Sequence, residues 1–324
     1  MKKYNILTCN SHETYVWSLS KLDISLDIID YLPGRYTSQW DTNIRPVPAQ
    51  VNLISTEKAL ANSDKYDCII AHSIDDLLLV KNINVPIILR LPVSLHGYIA
   101  QENSDLTAKQ VQSVLKRYLD KKTVMIVAIS KMKMESWDLE GMIIPHFIDS
   151  SFFAGYDGSL TEGLRVVNQF NAKNIILDAD FHKRLNSVNE IRMVGFNPDI
   201  DNSVPSKNMT DLRDHYRSHR YYVHTARPNH EDGYNLASLE AMSVGMPLIS
   251  NSNPSSPIIN GVNGFISDDI KELESGIMQL INDHDLARRM GAKAREYVKK
   301  DHSFKQFSDN WARAIQKAIA IHKK

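Results

Sequence analysis

The chain of 324 residues carries 38 basic and 38 acidic side chains, 43% hydrophobic residues and two cysteines; its length suits two domains of about 150 residues each. The cancelled charge excludes a strong long-range pull toward nucleic acid or anionic lipid, and Cys9 and Cys68 read as buried thiols of a reducing compartment, too few for a disulfide framework. The N-terminus enters a strand without a secretory core, and no stretch approaches the ~18 apolar residues of a membrane span, so a cytoplasmic protein is expected.

In the first half, short apolar runs predict strands at 4–9, 26–31, 68–72, 86–91, 123–130 and 142–145. Helix-period segments fall among them at 14–22, 75–81 and 107–120. This alternation predicts a parallel sheet covered on both faces, a doubly wound α/β domain over 1–150. Residues 150–163 hold three glycines and read as a linker. The alternation then restarts with strand 164–167, helix 174–185, strand 190–195, helix 209–217, strand 221–226, a helix after Asn235 and strand 247–250. A second domain of the same class is expected over 151–303. Helices are predicted at 269–282, 285–299 and 304–322, the last with Phe307, Trp311, Ile315 and Ile319 at helical spacing as a packing stripe. Segment 304–324 is expected to pack back toward the first domain. Ligands of open parallel sheets bind beyond the carboxyl ends of strands, so two such domains facing a central cleft would hold the site between them.

The run 231–250 carries the chemistry. Asn235 is placed to cap an amphipathic helix with Leu236, Leu239, Ala241 and Met242 on one face, while Gly245 ends it and Pro247 prevents its resumption. Glu240 rides on the first turns; Asp232 and Gly233 precede the helix start, whose backbone N–H groups make an anion site. Asp232-Gly-Tyr-Asn, followed after four residues by Glu240, resembles the acid–seven residues–glutamate signature of family-4 glycosyltransferases, retaining enzymes of the GT-B fold. Aspartate stands for the family's first glutamate and Asn235 for a glycine; Asp232 is preferred as the functional acid over Glu231, one residue out of register. Ile143-Ile-Pro-His-Phe-Ile-Asp149 resembles the segment that ends the family's first domain, with His146 for the usual asparagine. Asn260-Gly-Val-Asn-Gly264-Phe and the run from Asp283 resemble its C-terminal signature, so the likeness covers most of 124–310.

That resemblance implies two Rossmann-like domains and a role for each matching residue. Glu240 would accept from the nucleotide ribose hydroxyls, since a carboxylate takes two O–H donors at once. Asp232 would face the donor sugar, with Gly233 and the N–H groups of Tyr234, Asn235 and Leu236 at the sugar and diphosphate. Lys173 keeps a lysine that neutralises the leaving diphosphate; Asn168 occupies the matching arginine position, and Arg227 is the candidate for the missing cation. His96 matches a histidine that approaches the donor sugar, which makes Asp232, His96 and Lys173 the expected catalytic residues. Asn10, Ser11 and His12 replace paired glycines and would line the acceptor side, unless Ser11 or Thr14 simply caps the following helix. Asp178 with Asp180, and Asp199 with Asp201, read as helix-surface and turn residues, so no metal and no cofactor are expected. The implied reaction is retaining transfer of a hexose-type unit from a nucleoside-diphosphate-sugar, UDP-sugar favoured, to an acceptor hydroxyl. The alternatives are a sugar phosphorylase or sugar-phosphate synthase, drawing on Arg35, Arg45 or Arg90, and a non-catalytic sugar-nucleotide-binding subunit. The acceptor (glycan, lipid-linked glycan, small molecule, protein or nucleic acid) and the oligomeric state are left open.

Overall fold

The computed structural model describes residues 3–32, 39–102, 105–119 and 124–322; Arg35 and the predicted element ends Asp120 and Thr123 lie outside them. Two compact units are present. One comprises Met1–Ser94, Leu106–His146 and Lys305–Lys324, the other Leu95–Asp105 and Phe147–Phe304.

In the first unit the elements are β1 (Tyr4–Cys9), α1 (Glu13–Leu19), β2 (Ile24–Ile29), β3 (Val51–Ile54), α2 (Thr56–Ala61), β4 (Cys68–Ala71), α3 (Ile74–Val80) and β5 (Ile87–Leu91). After α4 (Leu95–Gln101), which clusters with the second unit, come α5 (Ala108–Leu119), β6 (Val124–Ala128), α6 (Lys131–Ser136) and β7 (Met142–Ile143). The seven strands are parallel, in the order β3-β2-β1-β4-β5-β6-β7. The near-continuous apolar composition of β1, β4 and β5 follows from helices covering both sheet faces. Strand β3 and helices α2, α4 and α6 are absent from the predicted set because four to seven residues do not display a period. His12, rather than Ser11 or Thr14, caps α1, its Nδ1 accepting from Tyr15 N–H at 3.4 Å. Cys9 and Cys68 are buried and not joined in a disulfide, and burial pushes the Cys68 thiol up to about 12.

The second unit runs β8 (Leu160–Val166), α7 (Asn174–Leu177), α8 (Ala179–Val188), β9 (Ile191–Val194), α9 (Met209–Ser218), β10 (His219–His224), α10 (Leu236–Val244), β11 (Leu248–Ser250), β12 (Gly264–Ile266), α11 (Ile270–Asn282) and α12 (His284–Asp301). Its parallel sheet has the order β12-β11-β10-β8-β9. The single helix expected over 174–185 is two, broken at Asp178, which takes a left-handed conformation (φ 48°) and caps α8 by accepting from Phe181 N–H. Aspartate tolerates this region because its short side chain bonds locally. Helix α10 is not amphipathic: Ser238 to Val244 are all buried, since β10, β11, α9 and α12 surround it. The last helix, α13 (Phe304–His322), buries Phe307, Trp311, Ala314, Ile315 and Ala318, and from Lys305 onward belongs to the first unit.

Candidate functional site

In the second unit the strand order reverses between β8 and β10, the point at which open parallel sheets bind ligands beyond their carboxyl ends. The loops leaving these two strands carry Asn168, Lys173 and residues 227–235. Both loops are latched. Asn168 Oδ1 accepts from Phe196 N–H (2.8 Å), and Asn197 accepts from Phe170 N–H (2.8 Å) while donating to Val167 O (2.9 Å). Gly195, at φ +136°, permits this, because a Cβ there would lie 2.1 Å from Val167 O. Asn251 exchanges two hydrogen bonds with the Ala226 backbone, and Asn253 donates to Glu231 O.

The acid loop is fitted closely to its neighbours. Asp232 is fully buried, and its N–H donates to Glu231 Oε1 (2.9 Å), so the Glu231 carboxylate is committed to the backbone of the next residue. Gly233 N–H donates to Ser255 Oγ (2.9 Å); a Cβ on Gly233 would meet Ser256 backbone atoms at 2.8 Å, so the glycine serves close approach. Asn235 caps α10 in a capping box: Ser238 N–H donates to its Oδ1, and Asn235 N–H donates to Ser238 Oγ. The Asn235 N–H, one of the three predicted to face a ligand, is thereby consumed inside the protein. Burial, and then the Asp232 charge, push the Tyr234 phenol above its ordinary value. Gly245 closes α10 at φ +109°.

Glu240 is 6% exposed, not a solvated helix residue. Its Oε2 accepts from the Tyr216 hydroxyl at 2.9 Å, and Tyr216 on α9 is fully buried. Sequence reasoning did not single out Tyr216; one tyrosine on a helix carries no signal until α9 packs on α10.

Positive charge enters from three places. Arg227 is half-buried: its N–H donates to Ile176 O (2.9 Å), and its buried Nε has no hydrogen-bond partner in the protein. Lys173 ends a short 3-10 turn, Asn171–Lys173, held by Gln169 in a left-handed conformation (φ 53°). Arg165, missed at sequence level because it sits inside β8, is buried and donates to Thr225 Oγ1 (2.6 Å) and Thr225 O (3.2 Å). Burial lowers Arg165 to about 10 and, with Arg165 alongside, His182 to about 2, so His182 is neutral and its Nδ1 accepts from Arg165 (3.4 Å). His96, on α4, is exposed, with its ring centroid 6.5 Å from that of His230 in the acid loop; α4 packs on α7. The structure thus brings His96 to the same unit as Arg227, Asp232 and Glu240.

Asn10, Ser11 and His12 lie in the first unit at the end of β1. Asn10 Nδ2 donates to Asp30 (2.9 Å) and Ser11 Oγ to Asp76 (2.6 Å). Arg45 pairs with Glu13 at 3.3 Å. Asp199 accepts from Asn171. Among the described residues no group of three or more His, Cys, Asp or Glu side chains is placed to hold a metal ion, and no helix is long and apolar enough to cross a membrane.

A family model described as glycosyl transferase-like matches residues 181–313. The capsular polysaccharide biosynthesis glycosyltransferase CapM of Staphylococcus aureus is 25% identical over 164 residues, 47% of this chain and 42% of CapM, so the match spans less than half the relative's length. The crystal structure of HepE from Anabaena, in complex with UDP and glucose, superposes with a TM-score of 0.69 at 13% identity over 97% of this chain and 99% of that one. Sucrose-phosphate synthase of Thermosynechococcus elongatus gives the same score and identity over 98% and 100%. These two likenesses bear on fold. The chain has the GT-B fold, and its residues 181–313 form a glycosyl transferase-like region that includes α10 and the acid loop.

Proposed function

We propose that this protein is a retaining glycosyltransferase that moves a sugar from a nucleoside-diphosphate-sugar, with UDP-sugar favoured, to an acceptor hydroxyl without a metal. The observation that carries the reading is Glu240: a carboxylate buried on α10, at the sheet's reversal point, with one oxygen fixed by Tyr216. A carboxylate can accept two O–H donors at once, which suits the paired hydroxyls of a ribose. HepE, of similar fold, was crystallised with UDP and with UDP-glucose, which favours a uridine nucleotide.

In this reading Lys173 and Arg227 neutralise charge that moves onto the diphosphate as the glycosidic C–O bond breaks, with the α10 start adding its backbone dipoles. Asp232 accepts from donor-sugar hydroxyls, and His96 stands at the sugar. Asn168 is spent on the Phe196 backbone and contributes no charge, which leaves Arg227 as the second cation. Thermal shift with UDP-, GDP- and ADP-sugars, followed by mass spectrometry of donor turnover, tests the proposal. Stabilisation by UDP-sugars, and its loss in Glu240→Gln, is expected; unchanged UDP binding and turnover in Glu240→Gln would overturn it.

A further inference from the structure

The first unit contains an arginine that the site above does not use. Arg90, on β5, is 2% exposed, and its Nε and Nη1 are buried without any hydrogen-bond partner in the protein. Among the described residues it forms no ion pair; its guanidinium instead stacks on the Tyr15 ring, Cζ 3.4 Å from the centroid. Asp76, the acid within electrostatic reach, is already accepting from Ser11 Oγ (2.6 Å) and His72 N–H (2.9 Å). Burying an arginine without a carboxylate bonded to it costs several kcal/mol in general.

Two acceptors nearby are also unsatisfied: His72 Nδ1 and Asn10 Oδ1 are buried without protein partners, while the Tyr15 hydroxyl lies within reach of both Arg90 and Trp311. Thr8 Oγ1 donates to Ile70 O (2.7 Å), so His72 must donate to Thr8 through Nε2 (2.8 Å), leaving Nδ1 as an acceptor. Burial and the Arg90 charge hold His72 far below its ordinary value, so it is neutral and Arg90 is the cluster's cation. Asn10 follows β1 and His72 follows β4, the pair of neighbours at which this sheet's order reverses. The chemistry is one positive charge, an excess of N–H donors and two acceptors, at the position where parallel sheets bind ligands.

We propose that this cluster is a recognition site for an acidic group, a phosphate or carboxylate bearing a neighbouring hydroxyl. Resting on the transferase reading above, it makes the acceptor an acidic sugar or sugar phosphate. The anion takes the Arg90 Nε and Nη1 donors, and its hydroxyl meets His72 Nδ1 or Asn10 Oδ1.

The test needs no nucleotide sugar. Sodium phosphate and, separately, sodium acetate are titrated into the full chain at constant ionic strength, with the thermal midpoint and the arginine Nε–H resonances as readouts. A saturable rise of roughly 3–6 °C at tenfold excess over Kd is expected for the preferred anion, kept in Arg227→Ala and abolished in Arg90→Met. Without anion, Arg90→Met should be at least as stable as the wild type, since it removes an unpaired buried charge. No saturable rise in the wild type, as expected were ordered water to fill the cluster, overturns the proposal; so does a rise that survives in Arg90→Met or vanishes in Arg227→Ala. If Arg90→Met does not fold, the wild-type Nε–H titration decides: a saturable shift of the resonance missing from Arg90→Lys supports the site, and its constancy sinks it. Phosphate against acetate separates the two acidic groups. Failure here leaves donor turnover untouched, and loss of turnover in Glu240→Gln leaves this titration untouched.

Discussion

Glu240 and Tyr216 form a pair whose value lies in geometry. With Oε2 held at 2.9 Å by a buried hydroxyl, the carboxylate plane is fixed before any ligand arrives, and a hydrogen bond to a charged group is worth about 1.5–3 kcal/mol. Under the proposed reading Tyr216→Phe should weaken UDP binding roughly tenfold or more by calorimetry, with kcat at saturating donor falling much less, because the pair would act on the nucleotide and not on the reacting carbon. Asp232→Asn should do the reverse, depressing turnover while leaving UDP binding near wild type; mass spectrometry of product alongside the same calorimetry separates the two. Gly233 has a different reason for being glycine. A methyl there would press on the Ser256 backbone at 2.8 Å, so Gly233→Ala should move the acid loop and lower donor affinity without unfolding the unit.

At the scale of elements, α10 illustrates what a sequence conceals. Its start, stop and capping residue were legible: Asn235, Gly245 and Pro247 each act through local backbone chemistry. Its surroundings were not, since an apolar face of Leu236, Leu239, Ala241 and Met242 fits a half-exposed helix as well as a buried one. Packing against α12 decides the matter at Gly291, where a Cβ would fall 1.6 Å from Gly245 O. Gly291→Ala must push α12 away from the C-cap of α10, and a loss of about 1–3 kcal/mol or more is expected from urea denaturation. The break at Asp178 was hidden for a related reason: left-handed backbone is adopted there to cap α8, and nothing in the local residue pattern demands it.

For the molecule as a whole, buried neutral histidines set the acid limit of stability. His182, His72 and His219 are all shifted below their ordinary value, with burial as the largest cause. For His182 the folded state titrates near 2 and the unfolded chain near 6.5, so only the unfolded state gains a proton between those values. Stability is thus full above about pH 6.5 and falls as pH drops below it, by about 2 kcal/mol at pH 5 for His182. Urea midpoints at pH 7 and pH 5 should show this decline, and His182→Gln, which keeps an acceptor for Arg165, should flatten it.

The two-unit α/β architecture was legible because its information is local: apolar runs bounded by turn residues, alternating with helical period, and an acid–helix–glycine–proline run readable in order. Strands such as Tyr4–Cys9 and the last helix, Phe304–His322, agree to the residue. What tertiary structure alone decided was which groups meet across long separations in the chain. It placed His96 beside His230, gave Glu240 a tyrosine from another helix, turned Asn168 onto the Phe196 backbone, and set the buried Arg90 guanidinium on the Tyr15 ring. Such meetings depend on burial and packing between distant segments, and neither is encoded in the spacing of residues along the chain.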